Sequence, residues 1–551
     1  MSAESLLRNL GRLGDTKDSI VRLRPFLLDL AVRGMLTNRL PADEPAATLL
    51  SRITAGRTAA TSRRRRTPLA ASDQPFALPS TWIWTRTRAV TSDRGQTTPS
   101  EPFTYIDVTA IDKATGRVRN PAVLAPEDAP SRARKAVAKG DVIYSCVRPY
   151  LLNIAVIEDD IDPTPVASTA FAVLAASGHV VARYLWAVLR SPYFVDCVED
   201  KMRGQAYPAI NDSDFAMLPI PLPPIAEQHR IVAKVDELMA LCDELEAAQT
   251  HREARRDRLR TTTLRNLVAL DESKANARFF LRHSARMITS PEHVASVRQA
   301  ILDLAVRGRL VPRDPNDSAK AHVLDDGLAW LPASWKEFPL GEVLAEDSRN
   351  GYSRKPDGAA DGIPILKISA GTTRRDGVVD EDEYKLIGNV TAQDRERLCL
   401  RQGDLLACRF NGNRDSVGIL TLFVDALHMS PIFPDKLIRL RSNAALVMPE
   451  LLRWWSRSTL IRRRTDEYRA TTVGNWGISA GNLKLVTYPL PPLAEQRRIV
   501  AKVDELMAVC DELEQSLAAE QTKRGRLLEA LLRDALEGAP PARELEILGA
   551  R

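Results

Sequence analysis

The sequence predicts an α+β chain: two mixed α/β inserts, separated by two long helices that pair as an antiparallel coiled coil, the whole arranged as a pseudo-two-fold internal repeat. Three observations predict it. The stretch Pro221-Leu-Pro-Pro-Ile-Ala-Glu-Gln228, continuing to Glu246, returns nearly unchanged as Pro489-Leu-Pro-Pro-Leu-Ala-Glu-Gln496, continuing to Glu514, an offset of 268 residues. Leu28-Asp-Leu-Ala-Val-Arg-Gly34 returns as Leu302-Asp-Leu-Ala-Val-Arg-Gly308, and Leu78-Pro-Ser-Thr-Trp82 is echoed by Leu331-Pro-Ala-Ser-Trp335. Between these blocks, roughly 83–205 and 336–473, the halves share little beyond Gly140-Asp141 and Gly403-Asp404, each opening an apolar run. A repeat this long is no solenoid unit but a duplicated multi-element module with a copied framework and divergent inserts.

Each framework element has a local reason. The prolines at 221, 223 and 224 bar helix upstream and favour extended chain. After them comes a long run without Pro or Gly, rich in Ala, Glu, Lys, Arg and Leu, residues that favour helix. The apolar positions Val503, Leu506, Cys510, Leu513 and Leu517 keep a 3,4 spacing, as do Val235, Leu238, Cys242 and Leu245, which is a heptad seam. The spacing predicts helices over about 226–268 and 494–537, each on the order of 60 Å at 1.5 Å per residue. Two such helices in one chain are expected to pack against each other. The Leu-Asp-Leu-Ala-Val-Arg-Gly blocks predict short amphipathic helices, each ended by its glycine in a left-handed cap. Block 294–307 follows the first long helix, and block 20–33 is expected to fold back from the N-terminus to serve the last one.

The inserts predict strands at Phe103–Val108, Asp141–Cys146, Gly362–Ile368 and Asp404–Cys408. Helices are expected near Ala182–Arg190 and Pro449–Ser458, with Trp186, Trp454 and Trp455 in the core.

Composition narrows the class. The 551 residues allow three or four domains. A net charge of +6 is mildly basic, which alone is weak evidence for nucleic acid. The six cysteines form no Cys-x-x-Cys pair and no zinc spacing, so they read as reduced thiols of a cytoplasmic protein. Neither a secretory leader in Met1–Gly11 nor a membrane-spanning apolar run is expected. There is no Asn/Asp-Pro-Pro-aromatic motif, no phosphate-binding Gly-rich loop and no His-centred triad or metal cluster. No catalytic or metal-ligating residue is therefore assigned.

In combination, the doubled Pro-Leu-Pro-Pro-Ile/Leu-Ala-Glu-Gln…Arg-Ile-Val motif and Gln299-Ala-Ile-Leu-Asp-Leu-Ala-Val-Arg-Gly-Arg-Leu-Val311, with Asp314-Pro-Asn-Asp317 after it, resemble the specificity subunits of type I restriction-modification systems. The resemblance implies an N-terminal helical segment and linker over 1–75 that packs with the C-terminal helix, and a first target-recognition domain over 76–225. It implies a central conserved helical region over 226–325, a second recognition domain over 326–493 and a conserved C-terminal helix over 494–551. It further implies a non-catalytic chain that reads one half of an asymmetric bipartite double-stranded DNA target with each domain. Two methyltransferase subunits and the restriction/translocase subunits dock on such a chain, and S-adenosylmethionine, ATP and Mg²⁺ are used by those partners. The other reading is a coiled-coil scaffold whose variable domains bind protein.

Base contacts need donors and acceptors presented in a groove. The loop before each proline motif offers Arg203, Gln205, Tyr207 and Asn211 in the first copy and Thr471, Thr472, Asn475 and Trp476 in the second. The resembled family places a Gly- and polar-rich loop facing DNA there. After the Gly-Asp strands come Arg148 in one insert and Arg409, Asn411, Asn413 and Arg414 in the other. Tyr352, Arg354 and Lys355 form a further exposed stretch. Arg63–Arg66, in a linker rich in Ser, Thr and Ala, reads as solvated charge ahead of a phosphate contact, whereas the arginines at 252–260 read equally as following the spacer's phosphates or as a solvated or partner-facing face.

Overall fold

The structure, a computed structural model, describes residues 17–55, 69, 73–176, 178–205, 207–269, 273–312, 314, 331–332, 334–372, 374–472 and 474–537. Met1–Gly11, Arg63–Arg66 and Asp317 lie outside the described residues. The chain forms two compact units, unit 1 from residues up to 253 together with those from 523 onward, and unit 2 from 254–522.

Six helices carry the framework: α1 (Lys17–Val32), α2 (Ala182–Arg190), α3 (Ile225–Val268), α4 (Pro291–Ala305), α5 (Pro449–Trp455) and α6 (Leu493–Glu537). At 44 and 45 residues, α3 and α6 are each about 65 Å long. Unit 1 holds the head of α3 and the tail of α6, and unit 2 the tail of α3 and the head of α6. Within unit 1 the head of α3 and the tail of α6 share one apolar cluster.

In unit 1 the heptad stripe is shared with a third helix. Leu238 and Cys242 of α3 pack with Ile20, Leu23, Leu27 and Leu30 of α1 and with Leu528 and Leu532 of α6; Leu245 packs half-buried at the edge. Val235 sits one step toward the insert, in its core. Arg22 of α1 pairs with Glu529 of α6 at 3.4 Å. In unit 2 the α6 positions Val503 and Cys510, with Leu506, Leu513 and Leu517 partly buried, join a core containing Val294, Ile301 and Leu302 of α4. Burying a Leu, Ile or Val side chain contributes about 1.5–3 kcal/mol, so this stripe helps hold each short helix, while Leu28, Ala31 and Val32 of α1 also pack into the core of insert 1.

Both units repeat the same polar joints at the same repeat positions. Arg24 donates to Asp243 (2.6 Å) and Glu246 (2.9 Å), and Arg298 donates to Asp511 (2.6 Å) and Glu514 (2.9 Å). Asp29 accepts the backbone N–H of Tyr193, and Asp303 that of Thr459. Each short helix ends in a glycine of positive φ, Gly34 (+69°) and Gly308 (+65°). The bonds Met35 N–H to Leu30 O and Gly34 N–H to Ala31 O close a Schellman cap, as do their counterparts at Arg309 and Gly308. A Cβ at either glycine would lie 2.6 Å from a proline ring carbon, Pro79 in one unit and Pro332 in the other.

Each insert is closed by pairing its first strand with its last. Ile83–Arg86 runs antiparallel to Pro219–Leu222, and Lys336–Pro339 to Thr487–Leu490. These are two-stranded ribbons, where the missing proline N–H is tolerated. The Glu-Gln that follows is the lock. Glu227 accepts from Trp82 Nε1 at 2.8 Å and Glu495 from Trp335 Nε1 at 3.0 Å. Gln228 Oε1 accepts the N–H of Val181, the N-cap of α2, and Gln496 Oε1 that of Met448, the N-cap of α5. Their amides donate back to Pro223 and Pro491 carbonyls. One dipeptide thus ties the long helix, the Trp turn and the insert's helix together, which is why it recurs unchanged.

In insert 1 the strand Asp141–Ser145 is central to a six-stranded sheet, and a second sheet has four strands. In insert 2 the corresponding strand Leu405–Cys408 pairs with both Leu420–Leu422 and Leu437–Leu440. Trp186, Trp454 and Trp455 are buried.

Candidate nucleic-acid interface

The Gly-Asp fragments set up the candidate loops from behind. Gly140 (φ +85°) and Gly403 (φ +87°) turn the chain into the central strand. The next residue, Asp141 or Asp404, is buried and anchors that turn by accepting the N–H of Ala138 or Arg401. Arg94 pairs with Asp141 and Arg441 with Asp404. The strand then runs to its far end, where the candidate residues emerge. Cys146 and Cys408 stand at that end, buried, and desolvation pushes their thiols up to about 12 and about 11. Neither is a thiolate nucleophile at neutral pH.

In unit 1 the end of the strand meets the loop before the proline motif. Val147 and Arg203 both bridge to Ala209, and the N–H of Arg148 donates to the Pro208 carbonyl at 2.8 Å. The Arg148 guanidinium lies over the Tyr207 ring at 4.8 Å. Tyr207 is 70% exposed, Gln205 is exposed, and Arg203 makes a loose 3.4 Å pair with Asp214. Asn211 is the N-cap of the helix Asp212–Met217, its Oδ1 accepting the Asp214 N–H at 2.7 Å. That gives it a structural role irrespective of any ligand.

In unit 2 the same two segments form a small three-stranded sheet, Phe410–Asn411, Asn475–Gly477 and Ala470–Thr472. Asn411 opposes Trp476, Thr471 opposes Trp476 on its other side, and the backbone of Thr472 opposes Asn475. The Arg414 guanidinium lies over Trp476 at 5.0 Å and pairs with Asp466. Asn411 and Asn413 use their side-chain oxygens on the turn, accepting N–H groups of Asn413 and Asp415. Asn475 is exposed at the hairpin beside Gly412. Arg409 covers one ring face of Phe410 at 4.8 Å and donates to the Asp435 carbonyl.

Tyr352 reaches this neighbourhood through Asp435, whose N–H donates to the Tyr352 carbonyl, while its ring packs on the insert core. Arg354 turns toward Asn389 and Asp357, and Lys355 is exposed. Two residues that sequence reasoning missed, Phe410 and Lys436, belong to the unit 2 cluster. Lys436, exposed, sits 5.0 Å from the Phe410 ring, so that ring carries two cations. No local pattern links 410 to 436; only the strand pairing does. In unit 1, Tyr150 and Leu151 beside Arg148 were missed because apolar residues in a loop read as core.

Among the described residues no group of three or more His, Cys, Asp or Glu could hold a metal ion, and no helix is long and apolar enough to cross a membrane.

The arrangement displays amides, guanidiniums and aromatic faces on loops carried by a rigid strand scaffold. Residues 157–254, the second half of insert 1 and the head of α3, match the family model described as type I restriction modification DNA specificity domain. The chain is 26% identical to the type I restriction enzyme EcoAI specificity subunit of Escherichia coli, over 93% of both chains. It is 26% identical to the EcoEI specificity subunit of the same species, over 94% of both. A chain of a solved structure described as the structural basis of complex assembly and conformational transition of the type I R-M system superposes with a TM-score of 0.53 at 26% identity, covering 84% of this chain and 99% of that one. Over nearly its whole length the chain is thus similar to type I restriction enzyme specificity subunits, and residues 157–254 match their DNA specificity domain.

Proposed function

We propose that this subunit reads a bipartite, asymmetric duplex target, one half-site per insert, with the spacer set by the paired long helices. The carrying observation is that both units build the same cluster, at the end of the same strand, from unlike residues. Arg148, Gln205 and Tyr207 stand in one unit where Asn411, Arg414 and Asn475 stand in the other. Equal placement supports two readers, and unlike side chains support two different half-sites. The framework helices dock two methyltransferase subunits and, through them, restriction/translocase subunits. S-adenosylmethionine, ATP and Mg²⁺ serve chemistry in those partners, and the assembly acts in the cytoplasm. This chain contributes recognition and geometry.

Methylation mapping of a strain carrying the complete system tests the reading. It should return one motif made of two unlike half-sites at a fixed gap. A single uninterrupted motif, or a gap of variable length, would refute it.

A further inference from the structure

The turn after the central strand of insert 1 differs in kind from its counterpart in insert 2. Val147 (37% exposed), Tyr150 (44%) and Leu151 (40%) are displayed to solvent beside Tyr207 (70%). Pro149–Leu151 forms one tight helical turn, and the residues bracketing it, Arg148 (φ 48°, ψ 57°) and Leu152 (φ 54°, ψ 40°), are both left-handed. A bulky L residue such as leucine rarely adopts that conformation, and such departures persist where the surroundings enforce them. Here the enforcement is visible. Leu151 and Leu152 N–H groups close onto Arg148 and Pro149 carbonyls, and Arg148 N–H is held by Pro208. The outcome is a fixed turn, anchored by buried Pro149 and by Leu152 on the insert core, that leaves Tyr150 and Leu151 partly exposed. The segment at the same place in unit 2, Asn411 to Arg414, is polar.

Clustered exposed apolar side chains mark an interaction site. This one is a single short helical turn next to Arg148, whose guanidinium lies over Tyr207, and Val147 and Arg203 both bridge to Ala209. Apolar side chains that part base steps while neighbouring polar groups hold the backbone have this form. We propose that Tyr150 and Leu151, flanked by Tyr207, are a wedge that enters the half-site read by unit 1 and unstacks a base step, so that this half-site is chosen partly by its deformability. The proposal rests on the bipartite reading above.

The test uses the complex of the full chain with its co-expressed methyltransferase subunit and a random-sequence duplex pool. The wild-type complex should enrich two half-sites at a fixed gap; failure to do so overturns the bipartite reading itself. With that motif in hand, Tyr150→Ala/Leu151→Ala should lose information in one half-site only and bind the selected duplex about tenfold or more weakly, the scale of one lost base–aromatic stack. 2-Aminopurine placed through that half-site should brighten on binding wild type and stay quenched with the variant. An unchanged motif and an unchanged 2-aminopurine signal overturn the wedge, as does loss of methyltransferase copurification with DNA selection intact, which would make the turn a protein-docking element. Both side chains are exposed, so a circular-dichroism melt matching wild type is expected and separates these outcomes from misfolding.

Discussion

Replacing Gln228 by alanine tests the proposition that one buried dipeptide locks each insert to its long helix. Gln228 is 0% exposed. Its amide satisfies two backbone groups, accepting the Val181 N–H at 2.8 Å and donating to the Pro223 carbonyl at 3.0 Å. Stranding a buried polar group costs about 1–3 kcal/mol. Val181 is half-buried, so water recovers part of its loss, and about 3 kcal/mol is the expected total. For a unit of this size that lowers the unfolding temperature by about 5–10 °C. Gln496 makes the same pair of bonds and a third, to the Leu446 carbonyl at 2.9 Å, so Gln496→Ala should cost more. Calorimetry reads the first effect. Hydrogen exchange should show the N-terminus of α2 opening in Gln228→Ala and that of α5 opening in Gln496→Ala, each without the other. If both variants melt within 1 °C of wild type with unchanged exchange at 181–185 and 448–452, the lock is not what holds the inserts.

Gly34→Ala should destabilise unit 1 by about 2–3 kcal/mol, from a left-handed backbone and a clash with Pro79; Gly308→Ala should match it in unit 2, and thermal melts of the pair check this. Burial raises the Glu227 carboxyl above its ordinary range, against smaller opposing effects of Trp82 and Thr37. A raised folded-state value means that stability is greatest below the unfolded-state range and falls as pH rises through the folded-state value. Denaturant melts should therefore show wild type losing more stability between pH 4 and pH 7 than Glu227→Gln does. Lys436→Ala, which frees Phe410 of one cation, should weaken duplex binding similarly across sequences and reduce the log–log salt slope by about 1, read by fluorescence anisotropy at several salt concentrations.

Much of the framework is legible in the sequence because its causes are local. Prolines 223 and 224 bar earlier helix, so expected starts near 226 and 494 fall within a residue of Ile225 and Leu493. Glycines 34 and 308 end their helices for want of a side chain that fits. The strands at 103, 141, 363 and 405 announce themselves by apolar runs between turn residues. What is not legible is long-range. The repeat leads to block 20–33 folding back onto the last long helix, but not to Leu238 and Cys242 of α3 joining that same cluster or to α4 packing on the head of α6, because one apolar face fits one helix or two equally well. The meeting of 409–414 with 470–477 depends on strand register across some sixty residues, and no spacing reports it. Exposed apolar residues such as Tyr150 carry the same local signature as core ones, so only the fold distinguishes them.

The way the two units draw on the chain bears on how it is made. Unit 2 comes from one uninterrupted stretch, 254–522, whereas the cluster around α1 is completed by Leu528, Leu532 and Ala535. A nascent chain emerges N-terminus first, yet here α1 must wait through some five hundred residues of synthesis for the helix that covers it. Ile20, Leu23 and Leu27 spend that interval without their final cover. The half that begins first is finished last, and truncations near the C-terminus should be felt at the opposite end of the polypeptide.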